Sequence, residues 1–188
     1  MVYGIQLVKS VSYTSCVPGE IRAGERAKPV SEKTNAMRQL DQAGVQYRVE
    51  TYQIEGPEHL ADKAARALGI APECIFKTLV AIGERTGPLM VLVPAGTEVD
   101  LRLLARATGD KKVEMAAQRD VLSLTGYERG AVTPLAMARK HPVWIDETVE
   151  LWEEVGISAG APGLEILLAP QDLLRVTDAQ AADIARSR

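Results

Sequence analysis

From Thr34 onward, apolar and polar positions recur with regular periods, and before it they do not. Thr34 stands as an N-cap ahead of Met37 and Leu40, with Gly44 placed to close a short helix. In VQYRVETYQ (45–53), Val45, Tyr47 and Val49 alternate with Gln46, Arg48 and Glu50, the period of a strand. Pro57 opens a second predicted helix, which carries Leu60, Ala64, Ala67 and Leu68 on one side and ends at Gly69. The apolar runs CIFKTLVAI (74–82) and PLMVLVPA (88–95), joined by GERTG, predict a hairpin of buried strands. Asp100 caps DLRLLARAT, and Gly109 stops it. KKVEMA (111–116) predicts a short strand, and residues 117–125 a helix ending at Gly126. ERGAV, PVWID, EEVGIS and GLEILLA (163–169) predict further strands, and DLLRVTDAQAADIA a last helix broken near Thr177.

Short strands mixed with helices give an α+β class with a mixed, mainly antiparallel sheet. Strict β-α-β-α alternation is absent, which disfavours a doubly wound fold. Residues 1–33 show no sustained period and carry Pro18, Gly19, Gly24 and Pro29. Lys9 interrupts their one apolar stretch, so they do not read as a secretory signal. The expectation is a loosely ordered extension over 1–33, or translation from an upstream start, and a single domain over 34–188.

Composition narrows the function classes. Of 188 residues, 46% are hydrophobic and 25% charged, the mix of one globular domain. No apolar run is long enough to span a membrane. A net charge of −3 argues against broad, sequence-blind nucleic-acid binding, although Arg102, Arg106, Lys111, Lys112, Arg119, Arg139 and Lys140 leave room for a local basic surface. Cys16 and Cys74 show no CxxC spacing, so neither a disulfide framework nor a cysteine zinc site is expected, and a cytoplasmic setting is the default. His59 and His141 each lack a second histidine at zinc spacing. HExxH, GxSxG and P-loop patterns are absent. Gly156, Gly160 and Gly163 do not follow GxGxxG and precede a strand, not a helix. No metal and no cofactor are expected.

Three features remain. Lys77 sits in a strand with two apolar faces; its ammonium either snorkels to an edge or enters a polar cavity that needs a cation. Glu165 is the lone carboxylate of GLEILLA; it either faces solvent at a strand start or finds a cation, and Lys77 invites that pairing. In GAVTPL (130–135), Gly130 and Pro134 bracket a tight segment, an ordinary turn or one that leaves the N–H groups of Ala131, Val132 and Thr133 free for a carbonyl or oxyanion.

In this order these residues carry a resemblance. KTNAMRQLDQAGVQYRVETY, IFKTLV, DKKVEMA, TGYERGAVTPL and SAGAPGLEILLAP, in register over Thr34 to Ile184, resemble the YbaK/EbsC family of aminoacyl-tRNA deacylases, most closely the Cys-tRNA(Pro) deacylase branch. Members are free-standing relatives of the editing domain inserted in bacterial prolyl-tRNA synthetases. The resemblance implies a mixed sheet curled into an irregular barrel with flanking helices, and a pocket for the aminoacylated 3′ adenosine. It places the family's lysine on Lys77, its glycine–proline loop on Gly130, Ala131, Thr133 and Pro134, a tyrosine on Tyr52, a pocket serine on Ser158, and the acidic residue, often aspartate in relatives, on Glu165. Many relatives carry two glycines at 130–131, and the methyl of Ala131 is expected to narrow the pocket.

The resemblance also implies trans-editing of Cys-tRNA(Pro), in which the cysteinyl thiol attacks its own ester and leaves as a thiolactone. Lys77 and the loop amides would position the substrate and stabilise the oxyanion. Cys74 is read as a core residue, not a nucleophile. Prolyl-tRNA synthetase is the implied partner. Two rival readings stand: a deacylase for another small aminoacyl ester such as Ala-tRNA(Pro), favoured by a narrower pocket, and a non-catalytic module binding aminoacyl-tRNA or a synthetase.

Overall fold

The computed structural model describes residues 32–53 and 60–188. The reading of residues 1–31, of Pro57 as a helix start and of His59 falls outside them. The Thr34 hydroxyl accepts the Met37 N–H at 3.2 Å, and α1 (Asn35–Gln42) buries Ala36, Met37 and Leu40. β1 (Tyr47–Thr51) and α2 (Leu60–Leu68) follow. The predicted hairpin is β2 (Phe76–Gly83) against β3 (Gly87–Pro94), antiparallel from Phe76↔Pro94 to Gly83↔Gly87. Asp110 braces its turn, accepting the Arg85 and Thr86 N–H groups at 2.7 and 3.0 Å. A strand not foreseen, β4 (Thr97–Val99), leads into α3 (Leu101–Thr108). Asp100 caps α3 through the Arg102 and Leu103 N–H groups, and Gly109 ends it in the left-handed conformation. β5 (Val113–Met115), α4 (Val121–Thr125), β6 (Val143–Asp146), β7 (Val155–Ser158), β8 (Leu164–Leu168) and α5 (Pro170–Thr177) lie where the pattern placed them.

Three readings are corrected. ERGAV forms no strand, because the chain turns on the Ala131 N–H, which donates to the Glu128 carbonyl at 3.0 Å. The last helix does not resume after Thr177. Asp178 takes a left-handed φ of 55°, and the chain continues as β9 (Gln180–Ala182) and β10 (Ala185–Ser187). Cys74 is also buried and disulfide-bonded, against the expectation of no bridge.

The strands form three sheets, ordered β5-β2-β3-β6-β9, β1-β8-β7 and β10-β4. All pairs are antiparallel except β3–β6 and β6–β9, so the class is α+β with mainly antiparallel sheets. The largest sheet is covered on both faces, which is why β2 and β3 read as continuous apolar runs. Phe76, Val80, Met90 and Leu92 pack with Leu40, Ile157 and Ile166, while Ala81, Leu89, Val91 and Val93 pack with Leu104 and Ile184. A third cluster joins Leu68, Ile75 and Leu167 beneath α2. Among the described residues no helix is long and apolar enough to cross a membrane.

Candidate active site

β2 is paired with β3 along its whole length, but β5 covers its other edge only at Ala81–Gly83. At the opposite end a single bridge joins Ile75 to Gly156 of β7. The Val80 carbonyl also accepts the Ala116 N–H at 2.9 Å, and between Ile75 and Val80 the edge has no ladder partner among the described residues; a cavity of about 330 Å³ opens there. Residues 76–80 of β2 line it, with Leu60 and Ala61 of α2, Met115, Gln118 and Val121, Arg129, Gly130 and Val132, and Tyr52, Ser158 and Glu165.

The polar floor comes from β8 and its neighbours. Glu165 pairs with Ser158 across β7–β8, so both side chains leave the same face. Tyr52 is held where β1 ends by its N–H, which donates to the Gly163 carbonyl at 2.9 Å. Gly156 makes the close approach possible, since a Cβ there would run into Ile75 and lie 3.0 Å from Leu167. Glu165 is 4% exposed and has no hydrogen-bond or ion partner among the described residues. Burial pushes its carboxyl up to about 8. Burial, and then the neighbouring Glu165 charge, raise the Tyr52 phenol and keep it protonated.

Lys77 lines the cavity but does not pair with Glu165. Alternation sends its side chain to the face carrying Ile75 and Leu79, where the ammonium donates to the Thr97 carbonyl of β4. It is half-buried. Desolvation lowers its pKa, with the Arg188 guanidinium adding to the shift and Asp62 and Glu98 opposing it. Arg188 in turn donates to Asp62 at 3.1 Å. The lysine has thus snorkelled to a strand-end carbonyl at the cavity's rim.

Gly130 takes a φ of +86°, and a Cβ there would lie 2.5 Å from Leu60 Cδ1. The loop is therefore packed directly against the first turn of α2. The Ala131 N–H is engaged by Glu128, whereas the N–H groups of Gly130, Val132 and Thr133 meet no acceptor among the described residues. Ala131, Thr133 and Pro134 are buried and do not line the cavity, so the Ala131 methyl does not narrow it. The Thr133 hydroxyl has no partner among the described residues.

The structure thus brings Lys77, Gly130, Tyr52, Ser158 and Glu165 together and leaves Ala131, Thr133 and Pro134 behind the wall. It adds Thr78 and Arg129, which sequence reasoning passed over. The Thr78 hydroxyl is buried without a partner among the described residues. Its one signal was its place beside Lys77 in an otherwise apolar strand. Among the described residues no group of three His, Cys, Asp or Glu side chains is arranged to hold a metal ion.

Comparison with known proteins identifies the family. Residues 55–176 match the aminoacyl-tRNA editing domain family. EbsC of Enterococcus faecalis, provisionally named a Cys-tRNA(Pro)/Cys-tRNA(Cys) deacylase, is 39% identical over 157 residues, covering 84% of this chain and 96% of EbsC. A proline–tRNA ligase of Thermodesulfovibrio yellowstonii is 32% identical over 68 residues, 36% of this chain and 12% of the ligase. Among solved structures, a candidate trans-editing enzyme for prolyl-tRNA synthetase superposes with a TM-score of 0.69 at 27% identity, covering 83% of this chain and all of that one. The cavity on β2 therefore sits in a chain that belongs to the aminoacyl-tRNA editing domain family and is an enzyme that cleaves aminoacyl-tRNA.

Proposed function

We propose that the chain edits in trans, with Cys-tRNA(Pro) as its substrate, and that the aminoacylated 3′ adenosine enters the cavity on β2. The observation that carries this reading is the convergence, within about 330 Å³, of Lys77, the unengaged amides of Gly130 and Val132, and the Tyr52–Ser158–Glu165 floor. A volume near the small end of ligand pockets suits one small amino acid and part of a ribose. Residues 34–188 would be the deacylase domain and 1–33 an extension, with the two larger sheets forming the irregular barrel of this family.

The reaction needs no nucleophile from the protein. The substrate thiol gives up its proton and its sulfur attacks the ester carbonyl carbon. The tetrahedral oxyanion collapses, the bond to the ribose oxygen breaks, that oxygen takes up a proton, and a cyclic thiolactone leaves. The protein holds the near-attack geometry and stabilises the oxyanion. Gly130 and Val132 would donate to that oxyanion. Lys77, leaving the Thr97 carbonyl, would hold the ribose or its phosphate, or support the departing oxygen. Glu165, Tyr52 and Ser158 would meet the polar end of the amino acid. Thr133 and Pro134 would fix the loop from behind. Prolyl-tRNA synthetase is the proposed partner that presents the tRNA.

Loss of the ester from tRNA(Pro) charged with cysteine, serine or alanine, with and without prolyl-tRNA synthetase, tests the reading. The cysteinyl ester should disappear about 100-fold faster than the alanyl ester, which has no internal nucleophile. Equal rates would overturn the thiol-assisted route, and binding without turnover of any ester would leave only a recognition module.

A further inference from the structure

We infer that Arg129 is a positioning residue that takes a phosphodiester of the substrate's nucleic-acid end at the cavity mouth, an inference that rests on the reading of the cavity as an aminoacyl-tRNA site. Arg129 immediately precedes Gly130 and lines the cavity while remaining exposed. It has no ion pair or hydrogen bond among the described residues, although Glu128 is its chain neighbour. The other cation lining the cavity is differently placed. Lys77 is half-buried, donates to the Thr97 carbonyl, and has the Asp62 and Glu98 carboxylates among its electrostatic neighbours. Among the described residues, the lining cation with no ion pair or hydrogen bond is therefore the guanidinium.

Its support is stiff. The Gly130 backbone is fixed in a left-handed conformation against Leu60, and the turn is closed by the Ala131 N–H on the Glu128 carbonyl at 3.0 Å. A planar guanidinium on such a base can meet two phosphate oxygens at once, a geometry an ammonium does not offer. The chain's net charge of −3 gives no general attraction for nucleic acid, so capture depends on local cations of this kind. The cavity's other charged lining group, Glu165, lies buried at the floor and takes no part at the mouth.

The test compares Arg129→Ala and Arg129→Lys with the wild-type protein on two substrates: cysteinyl-tRNA(Pro), and the same cysteinyl ester on free adenosine, which carries no phosphate. For Arg129→Ala the KM on the tRNA should rise about tenfold with kcat within about twofold, as expected for one lost charge-assisted contact. Arg129→Lys should recover part of that loss. On cysteinyl-adenosine both variants should match the wild type. The slope of log(kcat/KM) for the tRNA against log salt should become shallower by about 0.7 in Arg129→Ala, the signature of one single-strand phosphate. An equal loss on both substrates, or an unchanged salt slope, would overturn the phosphate assignment while leaving the deacylase reading intact. Failure of the wild-type protein to cleave either ester would instead sink the deacylase reading itself.

Discussion

Lys77 is the residue on which the proposed function makes its sharpest demand. Its stem lines the cavity and its ammonium rests on the Thr97 carbonyl, so it can turn toward a substrate without first breaking an ion pair with Glu165. Lys77→Ala should reduce ester cleavage by about 100-fold or more while leaving the thermal midpoint nearly unchanged; deacylation assays alongside thermal melts check both. Glu165 makes a separate prediction. Its carboxyl keeps a proton up to about pH 8 in the folded protein, whereas the unfolded chain releases it near 4.5. The native state therefore binds more protons between those values, and stability falls as pH rises through that window and levels off above it. Unfolding free energies from denaturant titrations at pH 5 and pH 8 should differ by on the order of a few kcal/mol, and Glu165→Gln, which cannot ionise, should flatten the difference. Gly130→Ala should cost about 1–2 kcal/mol from its backbone conformation alone, before the clash with Leu60, and should lower turnover as the loop shifts.

Among the elements, those whose ends are written in capping residues were legible in the sequence. Thr34, Asp100, Gly109 and Gly126 mark helix ends because each satisfies a terminal hydrogen bond or accepts a left-handed turn within a few residues. The β2–β3 hairpin was legible for the same local reason. The stretch after Thr177 was not, since Asp178 ends the helix and β9 and β10 exist only through β6 and β4, partners far off in sequence. The same distance hid the behaviour of Lys77. Its strand position marked it as anomalous, but the carbonyl it chose belongs to a strand too short to be recognised. Asp146 shows what holds the late strands. It is 2% exposed and accepts the Thr148 N–H and hydroxyl on one oxygen and the Ile184 and Ala185 N–H groups on the other. Asp146→Ala should destabilise the fold by about 2–4 kcal/mol, read from denaturant unfolding, with the Ile184 and Ala185 amides losing hydrogen-exchange protection first.

For the whole molecule, the cavity is a consequence of how the sheets are laid out. Among the described residues, β5 and β7 meet β2 only near its ends, which leaves a gap along the middle of that strand. An unpaired strand edge is ordinarily a hazard for self-association, and here most of it is enclosed by α2, the Arg129–Val132 loop and the β8 floor. Of the groups lining this gap, Arg129 is exposed and Glu165 is buried.

The final strand carries one practical corollary. Ser187 pairs with Thr97, whose carbonyl holds the Lys77 ammonium, and Arg188 is tied to Asp62 on α2. A purification handle or reporter joined after Arg188 would begin beside the Lys77 ammonium and, on the function proposed above, would compete with an incoming acceptor stem.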